Sequence, residues 1–184
     1  MSPFGHYVTA SSVSIALLRS NEWSLNTAIS EIFSGYSLEL HSSGALLMIA
    51  LGIVAGSRGP DRLEIPSFNP KTKERRSLIP HRTLTHWPFF WFAISILVIT
   101  IFLSFDGLLI RSIILSMIGF VIACWLHLAL DILTPAGIPL LNPFGRRVTF
   151  NVYKSGSSSE ILIVLVIILF TQIFLPPINW LAFF

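Results

Sequence analysis

Residues 112–134 read SIILSMIGFVIACWLHLALDILT, and this stretch decides the fold. It is long and apolar enough for a helix to cross the roughly 30 Å hydrocarbon core of a bilayer. Yet it carries His127 and Asp131 near its end. Four residues apart, the two project from one helix face. An ionisable pair inside a bilayer is costly and seldom faces lipid. The pair therefore predicts a polar interior shared with other helices.

The flanking sequence continues in the same sense. Trp87–Phe105 and Ile161–Phe184 contain no charged residue, and both read as clear spans. The last helix is expected to end near Pro176-Pro177, leaving Trp180, Phe183 and Phe184 at an interface. Gly44–Gly56 is apolar but short; it crosses only by starting nearer Leu38 or by packing as a partly re-entrant helix. Phe4–Leu18 is equally short and reads as a first helix. No Lys or Arg precedes it and Arg19 follows it, which is not the pattern of a signal peptide. Of the 184 residues 53% are hydrophobic and only 11% charged, against roughly 25% charged in soluble domains. Mean hydropathy is +0.76. A disordered chain, a disulfide-stapled module and an ordinary soluble enzyme are excluded. The single cysteine, Cys124, allows no intrachain disulfide. The expectation is an all-α, polytopic membrane bundle of four or five helices, one domain over residues 1–184.

The net charge of +3 does not indicate nucleic acid, because ten of the twelve basic residues fall in two segments between apolar runs. Arg58, Arg62, Lys71, Lys73, Arg75, Arg76 and Arg82 form one; Arg146, Arg147 and Lys154 form the other. By the positive-inside rule, loops 57–86 and 135–158 are cytoplasmic. Segment 19–43 carries Glu22, Glu31 and Glu39 against Arg19 and faces the other side, as does the turn at Asp106-Gly107. With five spans the N-terminus is inside and the C-terminus outside. Pro60, Pro66, Pro70 and Pro80 forbid a long helix in the first loop. Ser157-Ser158-Ser159-Glu160 reads as a capping box before the last helix.

This topology gathers His6, Asp61, His81, His86, His127 and Asp131 on one side of the membrane, although the charge rule takes no account of them. Imidazole and carboxylate from several helices suit a divalent metal, with zinc first and manganese or iron as alternatives. The absence of clustered cysteines argues against a structural thiolate site. A catalytic ion would lower the pKa of bound water towards ~7. Plainer readings exist for each residue. His127 with Asp131 can be a buried pair that ties helices together. Asp61 after Gly59-Pro60 can be a turn residue. Thr85 can cap a helix that has Pro88 in its first turn. Glu160 reads as a cap before it reads as a catalyst, and His41, on the outer side, has no evident partner.

Three stretches carry a resemblance: Gly56-Ser57-Arg58-Gly59-Pro60-Asp61, His81-Arg82-Thr83-Leu84-Thr85-His86, and His127-Leu128-Ala129-Leu130-Asp131-Ile132-Leu133-Thr134-Pro135-Ala136-Gly137. In this order, after the early His6, they resemble the YdjM-like family of membrane-bound metal-dependent hydrolases. The resemblance runs from about His6 to Glu160. It implies a bacterial inner-membrane, multi-pass protein with metal ligands at His6, Asp61, His81, His86, His127 and Asp131. More distantly the pattern is similar to the all-helical zinc-dependent phospholipases C, which implies a phosphoester or lipid-linked substrate. There are departures. The family's Pro-Asp-x-Asp reads Pro60-Asp61-Arg62-Leu63 here, and the next acid is Glu64. Thr83 stands where glycine is usual, and Trp87 where a small polar residue is usual.

Glu64 and Arg82 are the candidate catalytic residues, Arg82 as the guanidinium that neutralises an anionic substrate. The expected partners are membrane lipids and a small-molecule or lipid substrate, with no nucleic acid. Two other functions fit the same residues. One is a transporter of metal ions or protons, although the ionisable residues gather at one end and form no ladder across the bilayer. The other is a non-catalytic scaffold stabilised by metal.

Overall fold

The apolar stretch that carries His127 and Asp131 forms the longest helix of the computed structural model, Leu108–Ile132. The structure describes residues 1–19, 24–34, 42–64 and 82–173, and the backbone of 66–68 and 75–77. In chain order the elements are α1 (Pro3–Arg19), α2 (Leu25–Phe33), α3 (Ser43–Gly56), α4 (Gly59–Arg62), β1 (Pro66–Phe68), β2 (Arg75–Ser77), a 3-10 turn (Leu84–His86), α5 (Pro88–Ser104), α6 (Leu108–Ile132), β3 (Ile138–Pro139), β4 (Arg147–Val148) and α7 (Ser158–Ile173). The architecture is all-helical apart from two minimal antiparallel ladders. One pairs Ser67 with Arg76, the other Ile138 with Val148. Glu22, Leu38, Glu39, His41, Pro70, Lys71, Lys73, Pro80, His81, Pro176, Pro177, Trp180, Phe183 and Phe184 lie outside the described residues.

Local chemistry sets the helix ends. The Ser42 hydroxyl accepts from Ala45 N (3.1 Å) at the start of α3, and the Glu31 carboxylate of α2 accepts from Gly44 N (2.5 Å). An acid at a helix N-terminus satisfies orphan donors and meets the positive end of the dipole. Thr85 does not cap α5. It lies within the 3-10 turn, and Trp87 holds the cap position ahead of Pro88. The expected capping box is also replaced. The Glu160 carboxylate accepts from Gly156 N and, at 2.7 Å, from Ser2 N, while the Ser157 hydroxyl donates back to Lys154 O. Glu160 thus ties the start of α7 to the N-terminal segment, a long-range partner that a four-residue motif does not reveal.

Helices α3 and α6 form the central pair, with α1 and α2 against α3, α5 against α6, and α7 against α1. The approach of α3 to α6 requires glycine. A methyl at Gly52 would strike the Ser116 carbonyl oxygen, and one at Gly119 the Ile49 carbonyl oxygen. Gly52 and Gly56 are four apart, the small-x-x-x-small spacing that lets membrane helices pack backbone to backbone. Ala10, Ala45, Ile49, Ile53, Leu115 and Ala123 close the core around this contact.

Among the described residues only α6 is long and apolar enough to cross a bilayer by itself. The other apolar helices are shorter: α3 has 14 residues, α5 has 17 and the described part of α7 has 16. The uncharged run 87–105 therefore yields less helix than its length suggests, because Trp87-Pro88 fixes the start and Phe105 already leaves the helical conformation. Helix α2 and both ladders have no counterpart in the sequence reading, where segment 19–43 and the two loops are simply connections.

Candidate metal centre

The site is assembled where α6 ends and α3 gives way to α4. His127 and Asp131 face inward from α6, and both are essentially solvent-free. His127 Nδ1 lies 3.0 Å from the Ser57 carbonyl oxygen. A carbonyl only accepts, so Nδ1 carries the hydrogen and Nε2 presents a lone pair. His86, on the 3-10 turn, is placed the same way. Its Nδ1 faces Thr85 Oγ1 at 3.1 Å and Glu64 Oε1 at 3.5 Å. Hydrogen on the Glu64 side leaves the His86 Nε2 lone pair facing the centre. Thr85 is in turn pinned by Trp91, whose Nε1 donates to the Thr85 carbonyl at 2.7 Å.

Two carboxylates converge on these nitrogens. Asp61 Oδ1, from α4, lies 3.4 Å from His86 Nε2 and 3.7 Å from His127 Nε2. Asp131 Oδ2 lies 3.6 Å from each of the same two atoms. Lone pairs and carboxylate oxygens at such distances repel one another unless a cation lies among them. His127 Nε2 is buried without a hydrogen-bond partner. A tetrahedral ion with ligands at about 2.0–2.2 Å holds neighbouring ligand atoms about 3.3–3.6 Å apart. The four observed edges, 3.4–3.7 Å, match that spacing around a ring, and the ligand atoms of Asp61, His86 and His127 all lie within 4.8 Å of one another, three ligands that leave a fourth tetrahedral position open. The residues therefore fit a divalent ion.

His6 joins from α1. Its ring stacks on His127 at 3.7 Å between centroids, and its Nε2 lies 3.4 Å from Asp131 Oδ1. His6, His127 and Asp131 form one group able to hold an ion, and Asp61, His86 and His127 form another. The Met1 nitrogen lies 2.6 Å from the same Asp131 Oδ1. Of the six residues singled out as ligands, the structure brings five together: His6, Asp61, His86, His127 and Asp131. The sixth, His81, is outside the described residues.

Glu64 and Arg82 stand behind this cluster. Glu64 Oε1 accepts from Arg82 N at 3.0 Å and faces the Nδ1 side of His86, away from Asp61 and Asp131. It meets the opposite ring nitrogen of His86 from the one that faces Asp61 and Asp131. Arg82 Nη2 lies 3.0 Å from Asp131 Oδ2, and Nη1 donates to Thr134 Oγ1 (3.4 Å) and Gly137 O (3.3 Å). The guanidinium is thus already engaged on the cluster. Arg82 has φ 58°, a left-handed conformation that is uncommon outside glycine and that the surrounding bonds hold in place. The sequence reading missed the Ser57 carbonyl and the support from Trp91. A backbone carbonyl leaves no side-chain signature. Trp91 lies in an uncharged run that reads as plain span.

No characterised protein and no solved structure shows significant similarity to the chain. The model of one protein family, described as YdjM inner membrane protein, matches residues 1–183, and the chain accordingly belongs to the YdjM inner membrane protein family.

Proposed function

We propose that this protein is a multi-pass, single-domain, metal-dependent hydrolase of the inner membrane, acting at the cytoplasmic face on a phosphoester or lipid-linked substrate. One observation carries the reading: the inward-facing ring of His86 Nε2, Asp61 Oδ1, His127 Nε2 and Asp131 Oδ2, with neighbours 3.4–3.7 Å apart. Nitrogen and oxygen donors without thiolate suit zinc, with manganese or iron as alternatives. The ion, when bound, supplies a water nucleophile at neutral pH and polarises the scissile group. The chain's own residues prepare the place. Ser57 O and Glu64 aim the two imidazoles. Arg82 balances the charge of Asp131 and supplies positive potential for an anionic group. Asp61, whose side chain is 23% exposed, marks the side open to solvent. Several crossings are supported by exposed apolar faces. Helix α5 buries only Trp91 and Val98 and exposes Phe92, Ile96, Ile99 and Leu103. Helix α7 exposes Ile161, Leu165, Leu169 and Ile173. Such faces are at home where the solvent is hydrocarbon.

The test is metal analysis of purified protein, with turnover of a phosphoester panel that includes phospholipids. Wild type is expected to hold a stoichiometric ion and to turn over at least one member. His127→Ala and the milder Asp61→Asn are expected to lose both. Absence of metal from wild type, or unchanged metal and turnover in both variants, overturns the reading.

A second reading, ion or proton transport, is favoured by a polar seam that the ionisable residues alone do not disclose. Along α1 the buried Thr9 and Ser12 follow His6 away from the cluster. Ser12 Oγ lies 2.6 Å from Thr171 Oγ1 of α7, Gln172 Nε2 donates to Ser12 O (3.0 Å), and Arg19 donates to Gln172 Oε1 (2.8 Å). The stretch from His6 to Arg19 covers about 20 Å of helix. Flux of protons or divalent ions in proteoliposomes, lost on Thr9→Val, would select this reading over hydrolysis.

A further inference from the structure

A second feature lies beside the metal centre and plays no part in it. Between Asp131 and Glu160 the chain has no acidic residue, but it has Arg146, Arg147 and Lys154. Strands β3 and β4 bring residues 138–148 together as a hairpin. The hairpin's tip carries large apolar side chains in the open: Leu141 is 87% and Phe144 73% exposed. Arg146 and Arg147 follow at once and are exposed too. The return strand adds Val148, Phe150 and Val152, each at least 40% exposed.

This is a built structure. Asn142 Oδ1 accepts from Phe144 N (2.9 Å) and Asn142 O from Gly145 N (2.9 Å), which closes the tip. Gly137, at φ 60°, makes the turn into β3. Trp87 Nε1 donates to Leu140 O at 3.0 Å, and Phe150 N and Val152 N donate to Ile132 O and Leu133 O. The hairpin is thereby bolted to the last turn of α6, the helix long enough to cross the membrane. It lies between that end and the start of α7.

We propose that the 138–152 hairpin is a membrane-interface clamp: Leu141 and Phe144 dip into the leaflet on the metal-centre side, and Arg146 and Arg147 hold anionic lipid headgroups. An apolar tip with an adjoining basic pair, in a segment that has no acidic residue from 132 to 159, matches the apolar interior and negative surface of a leaflet rich in anionic lipid. Anchorage to the end of α6 keeps the tip near the level at which that helix leaves the hydrocarbon. The inference stands apart from hydrolysis, because neither the tip nor the two arginines belong to the groups that could hold the ion.

The full-length protein tests it. Leu141→Cys is labelled with a nitroxide, native Cys124 being buried. The labelled protein is placed in nanodiscs of phosphatidylcholine alone or with about one part in three phosphatidylglycerol. The depth of the label is read from its accessibility to oxygen against a water-soluble nickel chelate. With phosphatidylglycerol the label is expected to lie in the hydrocarbon, favouring oxygen. Adding Arg146→Gln and Arg147→Gln is expected to shift it towards water, with helicity and bound metal unchanged. A label equally open to water in both lipids overturns the proposal, and so does a depth that the double substitution leaves unaltered. A label open in nanodiscs but shielded in native membrane vesicles would assign the face to a protein partner and overturn it likewise.

Discussion

Glu64→Gln separates an orienting carboxylate from a catalytic one. Glu64 Oε1 accepts from Arg82 N at 3.0 Å and faces His86 Nδ1 at 3.5 Å, while His86 Nε2 points at Asp61 and Asp131. Glutamine keeps an oxygen for the Arg82 amide but removes the charge that favours hydrogen on Nδ1. His86 then loses its bias towards the tautomer with a free Nε2 lone pair. Removing such a partner of a metal-binding histidine costs 10- to 100-fold in metal affinity, about 1.4–2.7 kcal/mol. The value belongs at the lower end, since Thr85 Oγ1 remains 3.1 Å from the same nitrogen. The assay is zinc competition between the purified protein and a chromophoric chelator, with turnover measured in parallel on saturated enzyme. The expected result is weaker zinc binding and turnover largely restored at saturation. Unchanged zinc affinity with turnover abolished at saturation would refute the orienting role and make Glu64 the acid or base of the reaction.

Two further substitutions probe the surroundings. Arg82→Gln leaves Asp131, 1% exposed at its side chain, without its guanidinium partner. Removing one member of a buried pair costs about 3–5 kcal/mol when the other is left uncompensated; the Met1 ammonium, 2.6 Å from Asp131 Oδ1, reduces that cost, and a bound divalent ion would take over the rest of the neutralisation. Thermal unfolding in detergent is therefore expected to show a large loss in chelator-treated protein and a smaller one with zinc; equal losses would count against an ion beside Asp131. Ser12→Ala removes a buried hydroxyl 2.6 Å from Thr171 Oγ1 at the α1–α7 seam, worth about 0.5–1.5 kcal/mol. A lower melting temperature with unchanged metal content and unchanged ion flux would leave the seam a helix-packing device.

The long apolar helices were legible in the sequence, and α2 and the ladders were not, for a physical reason. Apolar runs such as 43–56 and 112–132 hold their pattern over many residues, so their presence survives uncertainty at the ends. The strands at Ile138–Pro139 and Arg147–Val148 are two residues each and have no periodicity to read. The site was legible as a set of residues but not as roles. His127 and Asp131 share a helix face by spacing alone, and the basic loops placed Asp61 and His86 on the same side. Asp131 facing His6 through one oxygen, and His86, His127 and Arg82 through the other, depends on how α1, α6 and the 3-10 turn meet. That meeting is long-range and leaves no local mark. The bonds of Arg82 to Thr134 and Gly137 cross more than 50 positions of sequence, so its tie to the cluster carries no local signal either.

The packing of α3 on α6 and the chemistry of the site are one problem, and Gly56 joins them. A methyl there would lie 2.6 Å from the Phe120 carbonyl oxygen, inside the closest approach that the two backbones allow. The next residue, Ser57, supplies the carbonyl that holds His127 Nδ1 at 3.0 Å. Gly56→Ala must push α3 outward just where it aims that carbonyl. The hydrogen bond lengthens, and the His127 ring loses the constraint that fixes its tautomer. Both stability and zinc affinity are expected to fall, by about 1–3 kcal/mol for the overpacking and about tenfold for the loosened ligand. Leu115→Ala is the control. Leu115 is fully buried in the same α3–α6 core but lies about 18 Å along the helix from His127. Its loss should cost about 2–5 kcal/mol of stability and leave zinc affinity unchanged. Were Leu115→Ala to weaken zinc as much as Gly56→Ala, affinity would be following global stability, and the Ser57 carbonyl would have no special part in aiming the ligand.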